Sequence, residues 1–176
     1  MITMLTGGVK SGKSRRALDL AIQEWRPAPC NPVTFVATAE ALDDEMKARI
    51  VRHREERLRF AGKGAFVTIE EPLELGCAVC AAGERVLIDC LPMWLNNIVC
   101  HRQEGEFARI LDALLKGMVE KTRDCIVVTN ETGMGNIPFD ETVRRYNTLL
   151  ADANRRVAAV ADRVELLVSG IPLRVR

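Results

Sequence analysis

The feature that most constrains the fold of this chain is a glycine-rich run close to its N-terminus. The run reads Gly7-Gly8-Val9-Lys10-Ser11-Gly12-Lys13-Ser14. It fits the phosphate-binding pattern G-x-x-x-x-G-K-[ST], and its flanks predict the strand (2–5) and the helix (15–22) that this pattern requires. Backbone N–H groups of such a loop and of the helix N-terminus together bind an anion. We therefore predict that this run binds the phosphates of a nucleotide.

Two side chains of the run and one later carboxylate are candidates for phosphate and metal binding. In this pattern Lys13 contacts the β- and γ-phosphates, and the Ser14 hydroxyl binds Mg²⁺. The apolar residues 86–88 predict a strand with Asp89 at its end, and a carboxylate there can hold the same Mg²⁺. The alternative is that Asp89 is a turn residue without a metal, since many strands end in Asp.

Composition excludes several classes of protein. The 176 residues suit one domain, predicted over 1–176, and a net charge of +1 gives no general attraction to nucleic acid or to an acidic membrane surface. No apolar run approaches the ~20 residues that span a bilayer, so we expect a cytoplasmic protein without membrane insertion. Of the six cysteines, several lie in apolar runs and are expected to pack as small hydrophobic residues. We expect neither a disulfide framework nor a zinc site.

Short apolar runs alternate with longer segments of helical spacing along the chain. The runs predict strands at 3–6, 33–37, 66–69, 86–90, 126–129 and 164–169, buried on both faces as in a parallel sheet. The segments 42–60, 107–119 and 142–161 predict helices. This alternation predicts an α/β fold with a mostly parallel central sheet flanked by helices.

The first long helix carries a histidine between two arginines. Arg49, His53 and Arg57 are spaced i, i+4 and i+8, so they share one helix face. A histidine between two guanidinium groups is placed to meet an anion, and its imidazole can act as a nucleophile. The alternative is a solvated face, which is what charged helical runs usually form.

Further sequence blocks follow the glycine-rich run in an order that is specific to one family. They are Ala37-Thr38-Ala39, Asp44-Glu45-Met46 with Arg49-Ile50 and His53, Thr68-Ile69-Glu70-Glu71-Pro72, Asp89-Cys90-Leu91 with Trp94-Leu95 and Asn97, Thr129-Asn130-Glu131-Thr132-Gly133-Met134-Gly135, and Val168-Ser169-Gly170-Ile171-Pro172. Together they resemble the bifunctional adenosylcobinamide kinase/adenosylcobinamide-phosphate guanylyltransferase family across almost the whole chain. Where relatives often have Thr, this chain has Pro92, which suits the first turn of a helix.

The resemblance implies a P-loop NTPase fold of RecA-like type and two reactions on the aminopropanol arm of a corrinoid. First, ATP or GTP phosphorylates the hydroxyl of adenosylcobinamide. GTP then transfers GMP to adenosylcobinamide phosphate, through a GMP–histidine intermediate at the position that His53 matches. Mg²⁺ is the implied metal ion, bound by Ser14 and Asp89. A homo-oligomer, commonly a trimer, is the implied assembly.

The resemblance also implies that the acidic pair Glu70 and Glu71 lies near the guanosine or the metal. The alternative for this pair is a helix N-terminus that favours acids. The loop 130–135 follows a predicted strand and is expected at the carboxyl edge of the sheet, where ligands bind in open α/β folds. Two other functions stay open: a small-molecule P-loop kinase without guanylyltransferase activity, and a nucleotide-binding regulator that is not an enzyme.

Overall fold

The computed structural model describes residues 1–41, 43–101, 103–135 and 137–176, and of Arg49 and Phe60 it describes the backbone alone. Within this part of the chain seven strands form one sheet. The strands are β1 (Ile2–Gly7), β2 (Val33–Ala37), β3 (Phe66–Glu70), β4 (Arg85–Asp89), β5 (Asp124–Val128), β6 (Arg163–Val168) and β7 (Ile171–Arg174). Their order is β3-β2-β4-β5-β1-β6-β7, and each neighbouring pair is parallel except β6–β7.

All six predicted strands are present, and the expected mostly parallel sheet is confirmed. The sequence analysis missed β7, which turns back from β6 at Ser169 and Gly170, both with positive φ as in a two-residue hairpin turn. The expectation that every strand is buried on both faces is wrong for β3. This strand lies at the edge of the sheet, and Val67 is 51% exposed. An edge strand has a neighbour on one side only, so less of its surface is covered.

Six α-helices connect the strands in the described residues. They are α1 (Lys13–Leu20), α2 (Asp44–Ala61), α3 (Leu75–Ala81), α4 (Leu91–Cys100), α5 (Phe107–Lys121) and α6 (Glu141–Val160). A π-helical turn, Ala21–Trp25, extends α1. The three long predicted helices correspond to α2, α5 and α6, although residue 42, the predicted start of the first, lies outside the described residues. Pro92 falls in the first turn of α4, as expected.

The helices cover both faces of the sheet and create two hydrophobic cores. The larger core joins α3, α4, α5 and α6 to one face, with Trp94 fully buried among them. The smaller core joins α1 and the π-helical turn to the other face, through Leu5, Phe35 and Leu87 of the strands. Side chains of a strand alternate between faces, so each central strand contributes to both cores.

The expectation that several cysteines outside the Cys77–Cys80 pair pack as small hydrophobic residues is confirmed for Cys125. Cys30, Cys77, Cys80 and Cys100 are exposed, Cys90 is half-buried and Cys125 alone is buried. Cys77 and Cys80 lie in α3, which buries the face formed by Leu75, Gly76, Ala78 and Val79 instead. Separately, no helix among the described residues is long and apolar enough to cross a membrane.

The strand register brings the carboxyl ends of five strands into one row. Leu5 of β1 pairs with Val128 of β5, and Val128 pairs with Asp89 of β4. Asp89 in turn pairs with Ala37 of β2, which pairs with Glu70 of β3. The loops that follow these strands therefore lie along a single edge of the sheet, which is the ligand-binding edge of open α/β folds.

Candidate active site

The glycine-rich run forms a loop between β1 and the N-terminus of α1, as its pattern predicts. Gly7 has φ of 145°, and a Cβ there would lie 2.5 Å from the Leu167 carbonyl oxygen. Gly12, with φ of 92°, is the N-cap of α1, and the N–H of Gly170 in the β6–β7 turn donates to the Ser11 carbonyl. The first turn of α1 has N–H groups without acceptors inside the helix, so this end is suited to a phosphate.

The Lys13 side chain makes contacts within this loop, and the Ser14 side chain contacts the end of β4. The Lys13 ammonium is buried and donates to the Gly8 carbonyl and to Ser11 Oγ, the latter at 3.3 Å. These two acceptors hold the ammonium inside the concavity of the loop. Gly8, Val9 and Lys10 are exposed. Ser14 Oγ donates to Asp89 Oδ1 at 3.2 Å, so the structure places these two predicted residues in direct contact.

This contact passes over an intervening strand. The strands β1 and β4 are not neighbours, because β5 lies between them. The helix α1 packs on β5, and its first turn thereby reaches the end of β4. A hydroxyl and a carboxylate at this distance are the oxygen donors that Mg²⁺ prefers, and Mg²⁺ takes its remaining ligands from water and phosphates. The donor set therefore fits the predicted metal ion.

A cavity of about 550 Å³ lies beside Asp89, between α2 and the carboxyl ends of the strands. The predicted site residues that line it are His53, Arg57, Glu70, Glu71 and Asp89. The further lining residues include Phe35, Glu40, Lys47 and Arg54, which sequence reasoning did not assign to the site. Asp89 therefore borders the cavity that contains His53 and also contacts the phosphate-binding loop through Ser14. The side chain of Arg49, the third member of the predicted helix face, lies outside the described residues.

Arg57 is a buried cation in this cavity. Its residue is 7% exposed, and its guanidinium lies 3.8 Å from the centre of the Phe35 ring. Its Nη2 donates a long hydrogen bond of 3.5 Å to Thr68 Oγ1. Burial lowers the pKa of Arg57, the Asp89 carboxylate raises it, and Arg54 lowers it. A guanidinium remains protonated in proteins, so Arg57 brings a desolvated positive charge to the wall that also holds His53.

The acidic pair at the end of β3 contributes to local structure. Glu70 forms an ion pair with Arg54, the residue next to His53 on α2. Glu71 Oε1 accepts hydrogen bonds from the N–H groups of Leu73 and Glu74, each at 2.9 Å. The Glu71 contacts, just before α3, are those of the structural alternative, whereas the Glu70 ion pair with α2 is not. Both residues nevertheless line the cavity, so each can also face a ligand there.

The loop 130–135 lies at the carboxyl edge, as expected from the strand before it. The N–H of Glu131 donates to the Gly7 carbonyl at 3.1 Å, so this loop contacts the start of the phosphate-binding loop. Asn154 of α6 fixes its first residue by donating to the Asn130 carbonyl at 2.9 Å. The other histidine, His101, is exposed and pairs with Glu40 at 3.0 Å.

Comparisons with known proteins identify a family that matches almost the whole chain. The family model described as cobinamide kinase/cobinamide phosphate guanyltransferase matches residues 3–175. A bifunctional adenosylcobalamin biosynthesis protein of Pseudomonas aeruginosa is 36% identical over 98% of this chain and 96% of its own length. Proteins of the same description from Salmonella typhimurium and Escherichia coli are 31% and 29% identical, over the full length of each chain.

Two solved structures share the fold. A KaiC-like protein from Pyrococcus horikoshii superposes with a TM-score of 0.52 at 17% identity, covering 94% of this chain and 69% of its own. The flagellar accessory protein FlaH from Methanocaldococcus jannaschii gives 0.50 at 14% identity, covering 97% and 74%. These likenesses confirm the predicted P-loop, RecA-like fold.

Proposed function

The chain belongs to the cobinamide kinase/cobinamide phosphate guanyltransferase family. From this premise we propose which residues take part in each of the two reactions. It is a transferase of adenosylcobalamin biosynthesis that acts as a kinase and as a guanylyltransferase. The observation that supports this assignment of roles is that Asp89 contacts Ser14 of the phosphate-binding loop and also lines the cavity of His53.

In the kinase reaction, the phosphate-binding loop holds the triphosphate. The hydroxyl oxygen of the adenosylcobinamide aminopropanol arm attacks the γ-phosphorus and the bond to the β–γ bridging oxygen breaks. A nucleoside diphosphate leaves, and the hydroxyl proton is released to solvent. The loop N–H groups and Lys13 stabilise the charge on the phosphates. Lys13 then exchanges its contacts with Gly8 and Ser11 for phosphate oxygens.

In the guanylyltransferase reaction, a ring nitrogen of His53 attacks the α-phosphorus of GTP. The N–P bond forms, the bond to the α–β bridging oxygen breaks, and pyrophosphate leaves. A phosphate oxygen of adenosylcobinamide phosphate then attacks the same phosphorus, which breaks the N–P bond and frees His53. The covalent intermediate divides one difficult displacement into two easier ones.

Arg57 is the proposed phosphate-binding residue of the second reaction. It lies one helical turn from His53, and both line the cavity. A buried guanidinium binds phosphate oxygens in a bidentate manner and loses little hydration in doing so. Arg49, Glu70 and Glu71 remain proposed nucleotide-binding residues.

Mg²⁺ is the proposed metal ion, held by Ser14 and Asp89, where it neutralises charge on the nucleotide phosphates. ATP or GTP is the proposed phosphoryl donor, and GTP is the guanylyl donor. The corrinoid substrates are adenosylcobinamide and its phosphate. The single domain, the cytoplasmic location and the homo-oligomer, a trimer by resemblance, stay predictions.

The histidine mechanism is tested by the intact mass of the protein after incubation with GTP and Mg²⁺. Wild-type protein is expected to gain an acid-labile adduct of the mass of GMP. His53→Ala is expected to gain none, because it lacks the attacking nitrogen. The chain offers a matched control in its second histidine, and His101→Ala is expected to form the adduct like wild type.

An adduct on folded His53→Ala, or no adduct on folded wild type, would contradict the role of His53. The same samples are assayed for phosphorylation of adenosylcobinamide. Phosphorylation without any adduct would support the alternative of a P-loop kinase without guanylyltransferase activity. Absence of both activities would support the nucleotide-binding regulator instead.

A further inference from the structure

Two fully buried polar residues beside the site, Thr38 and Asn97, take no part in the reactions described above. Each is 0% exposed, Thr38 directly after β2 and Asn97 within α4. Both belong to the sequence blocks that carry the family resemblance, which assigns them no role in those reactions. Burial of a polar group is unfavourable unless it is hydrogen-bonded, so their partners show what these residues hold in place.

The hydroxyl and the N–H of Thr38 form hydrogen bonds with Asp89 and with the residue after it, Cys90. Its hydroxyl donates to the Cys90 carbonyl at 2.8 Å and accepts from the Cys90 N–H at 2.9 Å. Its own N–H donates to the Asp89 carbonyl at 3.4 Å. Since Ala37 pairs with Asp89 in the sheet, these bonds continue the β2–β4 pairing past the ends of the strands. Thr38 therefore fixes the backbone on the carboxyl side of Asp89.

Asn97 fixes Thr38 in turn. Its side-chain amide donates to the Thr38 carbonyl at 2.7 Å and to the Pro72 carbonyl at 3.1 Å. Both amide donors are thus used on the loops that follow β2 and β3. The side-chain oxygen of Asn97, Oδ1, is buried and has no hydrogen-bond partner among the described residues. This asymmetry indicates that Asn97 is required as a donor, because its acceptor is left unused at a cost.

We propose that Thr38 and Asn97 form a brace that positions the Asp89 carboxylate for Mg²⁺–nucleotide binding. Through this brace, Asp89 is held within 3.2 Å of Ser14 Oγ. Both residues are fully buried and neither lines the cavity, so we assign them as positioning residues. The proposal rests on the proposed function, because it takes Asp89 as a metal ligand. Loss of a group that orients a metal ligand typically lowers metal affinity or activity about 10- to 100-fold.

The test measures binding of a non-hydrolysable ATP analogue by calorimetry, once with Mg²⁺ and once with EDTA. The quantity compared is the dissociation constant in EDTA divided by the dissociation constant with Mg²⁺. A uniform loss of folded protein does not change this ratio. Thr38→Val removes the hydroxyl and keeps the side-chain shape. It is expected to lower the ratio by about tenfold or more, while affinity in EDTA stays within about twofold. Thr38→Ser keeps the hydroxyl and is expected to preserve the ratio.

A matched control lies on the same strand. Thr34 is a buried threonine near the start of β2, whose hydroxyl accepts from the Gly83 N–H at 3.3 Å. This contact lies at the amino ends of the strands, away from the site at their carboxyl ends. Thr34→Val loses a comparable hydrogen bond and is expected to keep the wild-type ratio. Asn97→Ala removes the second part of the brace and is expected to lower the ratio like Thr38→Val, so the proposal stays testable should one variant not fold.

The possible results distinguish a failure of the proposed brace from a failure of the proposed function. If wild type binds more tightly with Mg²⁺ and folded Thr38→Val and Asn97→Ala behave like Thr34→Val, the brace is overturned and the role of Asp89 stands. If wild type itself binds equally well in EDTA, the proposed metal role of Asp89 fails, and the brace fails with it. A lowered ratio in both brace variants, with Thr38→Ser and Thr34→Val unchanged, supports the proposal.

Discussion

Gly7 and Gly8 are adjacent in the sequence but differ in what a side chain would meet. At Gly7 the φ of 145° is one that other residues rarely adopt, and an added Cβ would lie 2.5 Å from the Leu167 carbonyl oxygen. At Gly8 an added Cβ would meet no atom within 4 Å. The phosphate-binding pattern specifies Gly7 and leaves Gly8 variable, so the structure gives the steric reason for this difference.

At this scale we predict that Gly7→Ala destabilises the protein by about 1–3 kcal/mol, the usual cost of a strained backbone conformation. Gly8→Ala is expected to change the free energy of unfolding by less than about 0.5 kcal/mol, as for surface substitutions without special contacts. Urea unfolding of both variants measures this difference. Equal stability of the two variants would show that the contact with Leu167 is relieved without cost.

At the scale of elements, a buried charge cluster joins α1 to β6 behind the phosphate-binding loop. Glu165 of β6 is 3% exposed and accepts hydrogen bonds from Arg16 of α1 and from Arg163. Burial raises the pKa of Glu165, whereas the hydrogen bonds and charges of the two arginines lower it. The lowering effect is the larger, so the pKa lies below its ordinary 4.5. The carboxylate is thus stabilised by the folded state.

We predict that Glu165→Gln lowers the free energy of unfolding near neutral pH by roughly 1–3 kcal/mol, because charged hydrogen bonds are lost in a buried setting. A carboxylate with a lowered pKa stabilises the fold above its unfolded pKa, and this stabilisation is lost as pH falls through the folded pKa. The difference between wild type and Glu165→Gln should therefore shrink on acidification below the ordinary value of 4.5.

Urea unfolding at a series of pH values measures this difference. The exposed pair Arg15–Asp19 on the same helix provides the control, and Asp19→Asn is expected to cost less than about 1 kcal/mol at any pH. A Glu165→Gln difference that does not depend on pH would contradict the assigned direction of the pKa.

At the scale of the whole molecule, the sheet determines which thiols solvent can reach. Cys125 lies in β5, between β1 and β4, and is fully buried. Burial raises its pKa to about 12, an effect that the N-terminal charge offsets only in part. Cys30, Cys77, Cys80 and Cys100 are exposed on loops and helices.

We predict that iodoacetamide modifies these four exposed cysteines in the native protein and leaves Cys125 unmodified. The thiolate is the reactive species, and Cys125 is both inaccessible and protonated in the folded state. Peptide mass spectrometry before and after urea unfolding measures the modification of each site. Alkylation of native Cys125 at the rate of the exposed thiols would show that β5 opens readily.

Much of the fold follows from local sequence. The alternation of apolar runs and helical segments is a property of neighbouring residues, so it predicts the six strands, the three long helices and the mostly parallel sheet. The phosphate-binding loop and the position of His53 on a helix are local in the same sense. The β6–β7 hairpin was missed although Ser169-Gly170 offered a turn signal, because the residues after the turn lack a strand pattern long enough to recognise.

The sequence by itself therefore determined six of the seven strands, the long helices, the phosphate-binding loop and the family of this protein. Only the tertiary structure decided that β5 lies between β1 and β4, that Ser14 nevertheless meets Asp89, and that Thr38 and Asn97 hold the residue after Asp89. It also decided that Arg57 is buried against Phe35 in the cavity of His53. The physical reason is that these contacts join residues far apart in the chain, and packing of the helices on the sheet selects them rather than any local pattern.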